Sequence, residues 1–474
     1  MSARSILTLA LAALACGASC SREPEAPAAP PHVVIYLIDT LRQDRLGVYG
    51  YPRPISPHID ALAGESVVVD ECHAAAPWTL PSVVSLFTST FPAEHRVLSR
   101  GDRIASNALL EALRDLGYRT ASFVTNPFAG QAAGLDRGFD HFVQYKGHAF
   151  DTDDVEAWLR TAGAEPQFLY LHSTEPHRPY RPPQRFLARF GQVDDEVRKD
   201  IGATMRHYRD LTRVDADARR ARGTTDNTAE QREAIQKLAG YREEIEILYD
   251  ASVAWADENV GNTIAALQRL GMWERTLFLL ISDHGEELYD RGGWLHADHL
   301  HRELIRVPML WRFPDVPAGR PRGVGPVTLI DVMPTLLAYL GHPGSGQRRA
   351  GRDLMPWLRG TAPAAEPELR IISNRFEQTD FSLPIKRLRG DVNVGVADGR
   401  WKGIWNAEPR TLELYDLRDD PWERDDASAE HADEAARLQR FAESWLEENA
   451  GAAPADSEEV PADVREQLKA LGYY

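Results

Sequence analysis

Apolar residues in this chain gather into short continuous runs, a pattern that differs from the alternation of half-exposed strands. Val33-Val34-Ile35-Tyr36-Leu37-Ile38 and Leu277-Phe278-Leu279-Leu280-Ile281 read as strands buried on both faces. Further strand candidates lie near Ala121 to Val124 and Phe168 to Leu171, and helical stretches such as Ser106 to Leu116 separate them. That alternation predicts an α/β fold, a mostly parallel sheet with helices on both faces. From Glu243 to Leu270 the apolar positions Leu248, Ala251, Trp255, Ile264 and Leu267 recur at helical spacing and stop at Gly271, which predicts a core helix. Val327 to Leu340 reads as another amphipathic helix, closed by Gly341 and followed by a Pro- and Gly-rich connector.

Beyond the connector, short strand candidates at Val392 to Val396 and Leu412 to Leu417 precede a charged helix from about Glu430 to Glu448, and a last helix is expected over Val464 to Tyr474. We place a main domain at residues 32–365, a C-terminal α+β subdomain at 366–450 and a terminal tail at 451–474. Within the main domain, residues 181–241 hold the charged stretch Asp194 to Leu238, too long for a plain connector. It is either a helical insertion beside the active-site rim or a solvated surface excursion.

The N-terminus has a different origin. Arg4 precedes the apolar run Ile6 to Ala15, which is too short to span a bilayer. Small residues surround Cys16 and Cys20, and residues 21–31 are rich in Pro, Ala and Glu. This resembles a bacterial lipoprotein signal over residues 1–20 followed by a tether, with Cys16 or Cys20 as lipid acceptor. An ordinary cleaved secretory signal is the other reading. The expected location is the cell envelope, periplasm-facing or at the surface. Cys72 is the one other cysteine, so no disulfide framework is expected.

Composition narrows the partners. A net charge of −17 over 474 residues excludes a general nucleic-acid binder, which needs clustered Lys and Arg. It also disfavours a broad hold on anionic membrane, so membrane contact would run through the lipid anchor. An anionic substrate must be attracted locally.

Local attraction has a candidate in Ala76-Pro-Trp-Thr-Leu-Pro-Ser82, where Thr79 stands two residues ahead of Pro81 at the start of a helix-like run. Proline suits the first helical position, and the free N–H groups of a helix start favour a bound anion. Alone, Thr79 would be an N-cap. Its company changes the reading, because the two buried strands end in Asp39-Thr40 and Asp283-His284-Gly285. The carboxyl edge of an open α/β sheet is where ligands bind.

On these motifs the chain resembles the sulfatase family of the alkaline phosphatase superfamily. The resemblance extends through Ser56-Pro57-His58, Leu116-Gly117-Tyr118, Glu175-Pro176-His177, Ser282 to Glu286, Ile305 to Pro308 and Leu414-Tyr415-Asp416-Leu417 with Asp420-Pro421 and Glu423. It implies an alkaline-phosphatase-like fold with a small C-terminal antiparallel sheet and helix. It also implies Asp39, Asp283 and His284 as metal ligands, with Thr79 as nucleophile and fourth donor. His177 would contact substrate or protonate the leaving group, and His296 would stand near the ester oxygen. Asn126 would donate to the substrate, or else serve as a turn residue before Pro127. Many family members have Asp where Thr40 stands and Asn where His284 stands, with calcium bound. Two carboxylates and an imidazole suit zinc or manganese better, with calcium possible. A second metal at Glu175, His177 and His296 is a weaker expectation.

Departures from the family pattern bear on chemistry. Sulfatases proper carry Cys or Ser in Cys-x-Pro-Ser-Arg for conversion to formylglycine, whereas this chain has Thr79 and Val83. Threonine cannot yield that aldehyde, so phosphate or phosphonate esters are expected ahead of sulfate esters. The other readings are a transferase moving a phospho-headgroup onto envelope lipid or glycan, and a non-catalytic glycan-binding lipoprotein.

Overall fold

The apolar runs become neighbours at the centre of one seven-stranded sheet. Its order is Val67–Val68, Met309–Arg312, Thr276–Ile281, His32–Ile38, Gln167–Ser173, Arg119–Val124, His141–Gln144. Met309–Arg312 alone runs against its two neighbours. The computed structural model describes residues 30–222, 227–320, 324–344, 350–362, 368–376, 392–408, 410–453 and 455–471, with side chains described outside 212–222. Cys16, Cys20 and nearly all of the signal and tether therefore lie outside the described residues.

Strand periodicity divides the core into two layers. Val33, Ile35 and Leu37 face one layer with Leu80, Val84 and Leu336, while Val34, Tyr36 and Ile38 face the other with Tyr249, Val253 and Val260. Both faces of His32–Ile38 are thus covered, which is why its apolar run has no gaps. The register sets Leu37 opposite Ile281 and Ile38 opposite Ser173, so the residues that follow these strands emerge on one rim.

The charged stretch after residue 194 forms helices Asp195–Arg222 and Ala229–Ala239. Ile201, Met205, Leu238 and Ala234 are buried in the same layer as helix Arg242–Arg269. It therefore contributes to the core, which a purely solvated excursion would not.

Two expected helix starts move. The helix containing Pro81 begins at Thr79, so proline takes its third position. The helix expected from Val327 runs only over Val332–Tyr339, because Val327–Thr328 pairs with Cys72–His73 and Leu329–Asp331 is a 3-10 turn. The cause is Asp331, whose Oδ2 accepts from the Thr328 N–H at 3.0 Å and caps the turn there.

Asp331 also fastens the C-terminal sheet, which is antiparallel in the order Arg370–Phe376, Val392–Ala397, Trp401–Asn406, Thr411–Asp416 with helix Ala432–Asn449 against it. Arg370 donates to both oxygens of Asp331 at 2.9 Å, and the Arg352 N–H donates at 2.8 Å. Helix Ala462–Ala470 closes the described chain and buries Val464 and Leu468. Among the described residues, no helix is long and apolar enough to cross a membrane.

Removing one partner from a buried bidentate pair strands the other charge. Asp331→Ala should lower unfolding free energy by about 3–5 kcal/mol in urea titration, and Asp331→Asn by less; a loss under about 1 kcal/mol would show that Asp331 does not carry this junction.

Candidate functional site

Both metal-motif loops are locked by short polar contacts immediately past the strands. Thr40 adopts φ 59°, a left-handed turn rare outside glycine. Its hydroxyl donates to the Asp39 carbonyl at 2.6 Å, so it bends back on the chain instead of reaching the site. Ser282 Oγ accepts from the Leu41 N–H at 3.0 Å and donates to the His284 carbonyl at 2.7 Å, stitching one loop to the other. Asp283 Oδ1 accepts from the N–H groups of His284, at 2.9 Å, and Thr40, at 3.3 Å. Gly285 is required here because a Cβ would lie 2.0 Å from the Glu303 carbonyl oxygen.

Thr79 is the first residue of its helix, not the cap; Trp78 takes the cap position in extended conformation. The side chain is thereby released for the site. Thr79 Oγ1 lies 3.4 Å from Asp39 Oδ2, 3.3 Å from His284 Nε2 and 3.3 Å from Asn126 Nδ2. Ser82 Oγ, one turn on, donates to the Asp283 carbonyl at 2.6 Å and pins the helix start to the second loop. Asn126 takes the turn role and turns its amide towards the site. Its Oδ1 caps the Phe128 N–H at 3.0 Å, and its Nδ2 donates to Asp39 Oδ2 at 2.7 Å.

Asp39, Asp283 and His284 have no solvent exposure, and their ligand atoms lie within 4.8 Å of one another. Asp39 Oδ1 and Asp283 Oδ2 have no hydrogen-bond partner among the described residues, and His284 Nε2 stands 3.5 Å from each. His284 Nδ1 sits 2.8 Å from the Gly285 carbonyl, so it carries the proton and Nε2 carries the lone pair. Burial, reinforced by Asp283, pushes the Asp39 carboxyl well above its usual range; burial likewise lifts Asp283 to about 7 and pushes His284 down. Two orphaned carboxylate oxygens and an aimed imidazole in a dry pocket are costly alone. They fit a divalent cation, and the mixed N/O donor set fits zinc or manganese.

Two histidines complete the pocket. The His296 ring lies 4.5 Å from that of His284 and 5.2 Å from that of His177. His296 Nδ1 is 2.8 Å from Glu286 Oε1, and His177 Nδ1 is 2.5 Å from the Arg178 carbonyl. Both partners orient Nε2 away from themselves. Burial, with His296 next, pushes His177 well below the ordinary imidazole range.

Glu175 does not join these histidines. Its Oε1 accepts from Asn259 Nδ2 at 2.8 Å, and burial lifts its carboxyl to about 7. Among the described residues, Glu175, His177 and His296 form no ligand group, so the second-metal expectation is not supported. His299, His301 and Glu303 do lie within ligand reach of one another, yet each is engaged. His299 Nε2 meets Glu287 at 3.1 Å, His301 Nε2 meets Glu413 at 3.2 Å, and Glu303 accepts from Arg291 at 2.6 Å.

Sequence reasoning missed His172 and the role of Glu286. His172 is the second-last residue of strand Gln167–Ser173, is fully buried, and places Nε2 3.9 Å from Asp39 Oδ2. A histidine late in a buried apolar strand was the available signal.

Comparison with known proteins places this geometry. The sequence profile of the sulfatase family matches residues 31–342. The choline-sulfatase of Rhizobium meliloti is 26% identical, with 83% of this chain and 81% of that protein covered. The N-acetylglucosamine-6-O-sulfatase of Bacteroides thetaiotaomicron is 22% identical over 96% of this chain and 93% of its own length. The crystal structure of the phosphonate monoester hydrolase of Agrobacterium radiobacter superposes with a TM-score of 0.65 at 20% identity, covering 88% of this chain and 95% of that one. It shares the fold.

Raised carboxyl pKa values set a sign for metal binding. Protonation of Asp39 and Asp283 competes with the cation, so affinity rises as pH rises through the range of Asp283, about 7, and of Asp39, which is also raised. Their buried charge also makes the metal-free fold less stable above that pH. Zinc or manganese at about a hundredfold excess over Kd should stabilise by about 3 kcal/mol, with a larger rise in Tm near pH 8 than near pH 5.5. Asp283→Asn should raise the metal-free Tm near pH 8 and remove the metal increment; an unchanged increment would exclude Asp283 as a ligand.

Proposed function

This chain belongs to the sulfatase family, and we propose that within it the protein is a metal-dependent ester hydrolase that uses Thr79 as nucleophile on phosphate and phosphonate esters ahead of sulfate esters. The observation that carries the reading is Thr79 Oγ1, placed at a helix start within 3.4 Å of Asp39, His284 and Asn126. A divalent cation held by Asp39, Asp283 and His284 would supply the positive charge that lowers the hydroxyl pKa and neutralises the ester oxyanion.

The chain's own groups do the rest. Thr79 Oγ1 gives its proton to Asp39 Oδ2, to which it donates at 3.4 Å, and attacks the central phosphorus in line with the leaving oxygen, giving a threonyl phosphoester. The positive end of the helix dipole at Thr79 favours the anion beside the nucleophile. Asn126 Nδ2 donates to whichever oxygen is nearest, its amide kept in place by the Phe128 cap. His177 and His296 stand where the departing alkoxide needs a proton. Burial favours neutral His177, and an anion beside it raises its pKa in the direction that lets it carry that proton. Water then attacks the phosphorus, returning a proton to the histidine that protonated the alkoxide, and Thr79 leaves with its proton taken back from Asp39. A formylglycine diol would eject sulfate by elimination. Thr79 cannot form one, and attack at the central atom is the usual route for phosphorus.

The relatives support ester hydrolysis in kind, one being a choline-sulfatase and one solved structure a phosphonate monoester hydrolase, and the preference for phosphorus rests on Thr79 itself. The N-terminal pattern of Arg4, Ile6 to Ala15 and Cys16 or Cys20 supports a lipid anchor and a periplasm-facing or surface location.

Thr79→Ala should lower kcat on aryl phosphate, phosphodiester and phosphonate substrates by about a thousandfold or more while metal content stays at wild-type stoichiometry. Wild-type turnover in that variant would refute the mechanism. His177→Ala should cut kcat/KM by about a hundredfold for alkyl esters and far less for nitrophenyl esters, whose leaving group needs no proton. Equal losses on both would assign His177 to binding.

A further inference from the structure

A second anion-recognising feature lies on the other side of the Asp39–Arg42 loop. Arg42 Nη1 donates to the Glu286 carbonyl, and beyond it opens a groove of about 740 Å³ lined by seven arginines and four carboxylates. In a chain of net charge −17 this is a marked local reversal. Arg42, Arg45, Arg53 and Arg320 are ion-paired. Arg302, Arg306 and Arg424 have no carboxylate at ion-pair distance among the described residues. Arg306 donates to neutral oxygens only, Gln43 Oε1 at 2.9 Å and the Asp70 carbonyl at 3.0 Å. Arg302 donates to the Pro421 carbonyl. Burial, with Arg306 second, pushes the Arg302 guanidinium below its ordinary range. Asp44 and Glu423 act on Arg302, and Glu71 on Arg306, only from beyond that distance, so three guanidinium groups crowd one groove with no direct ion pair and an added anion would meet them favourably.

The same groove holds Trp422, 45% exposed and the one exposed large hydrophobic side chain among the described residues. The Arg302 guanidinium lies 3.9 Å from the centroid of its ring, covering one face. A flat aromatic surface held rigid beside guanidinium forks suits a ring that is apolar on its face and anionic at its edge. Sugars bearing sulfate, phosphate or carboxylate have that shape: axial C–H groups stack on the indole while the anion meets the forks. A groove of this volume holds a short oligosaccharide. Extended nucleic acid would meet the negative field of the remaining surface.

We propose that this groove is an exosite for anionic glycan, separate from the catalytic pocket and holding a polymeric or cell-surface glycan while the ester is processed at Thr79. The binding claim stands independently of Thr79 chemistry.

The test uses the full chain loaded with zinc or manganese, in wild-type and Thr79→Ala forms. Binding of a heparin hexasaccharide is measured by calorimetry at two salt concentrations, with uncharged cellohexaose and a single-stranded DNA oligomer as controls. Trp422→Ala should weaken heparin binding about tenfold. Arg306→Gln with Arg424→Gln should weaken it at least as much and flatten its salt dependence, and none of these changes should alter kcat/KM for a small aryl ester. Thr79→Ala should bind heparin like wild type, so loss of turnover there and loss of binding in the groove variants report separate failures. The proposal is overturned if heparin binds equally to the groove variants, if it is displaced by vanadate at the catalytic pocket, or if DNA binds as tightly, which would make the groove a generic polyanion surface. Trp422 and Arg424 are at the surface, so their substitution tests the groove even if Arg306→Gln unfolds.

Discussion

The structure turns on the burial of two like charges. Asp39 and Asp283 follow adjacent parallel strands whose register delivers them to one rim, and both are sealed from water. Backbone N–H groups and Asn126 satisfy one oxygen of each, and the other oxygen of each is left facing the His284 nitrogen. Burial outweighs the hydrogen bonds that each carboxylate accepts, and so drives both carboxyls towards protonation. A cation is the economical solution in a medium where a paired charge is tolerated and a single one is not. The central strands and the metal site are therefore one thermodynamic unit.

From that unit the supporting contacts run outward in a consistent direction. Two serines, Ser82 and Ser282, spend their hydroxyls on backbone groups of the other loop, fixing the Thr79 helix and the Asp39 loop to Asp283-His284. Glu286 then orients His296, and Arg42 ties the Glu286 backbone to Asp44 and Asp290. The ligands are thus positioned by groups that bind no substrate themselves, the usual way a site is held to sub-ångström tolerance. The C-terminal sheet is joined through a separate device, the buried Asp331 hub.

Legibility in the sequence followed physical cause. The central strands were readable because burial on both faces forces a continuous apolar run, whereas Val67–Val68 is only two residues long and edge strand His141–Gln144 is half-buried and partly polar. Asp39, Asp283 and His284 were readable because they close such runs, and Thr79 because a helix start faces the same rim. Helix starts shifted where a side chain captured the backbone first: Asp331 ended the helical pattern expected from Val327. His172 stayed hidden because its strand spacing gives a face but not a neighbour, and its approach to Asp39 depends on the pairing of two strands far apart in sequence. Of the two readings of Asn126, the turn role is seen in its cap on Phe128, and its amide faces Asp39.

Thr40 gives the last step. Where many sulfatases supply a third carboxylate, this hydroxyl turns back to its own carbonyl and contributes no charge. Two carboxylates and a neutral imidazole around a divalent cation sum to zero, while three carboxylates would leave the pocket net negative. A pocket of zero net charge at a helix start repels an incoming dianion less than a negative one does, and each step of ester charge is amplified by the absence of water. Phosphate and phosphonate esters carry charge and geometry that suit attack by a hydroxyl; sulfate monoesters carry less charge and depend on a diol that threonine cannot make. On the proposed reading, Thr40 changes the charge of the pocket and Thr79 its nucleophile, while the sheet that presents them keeps the family's form.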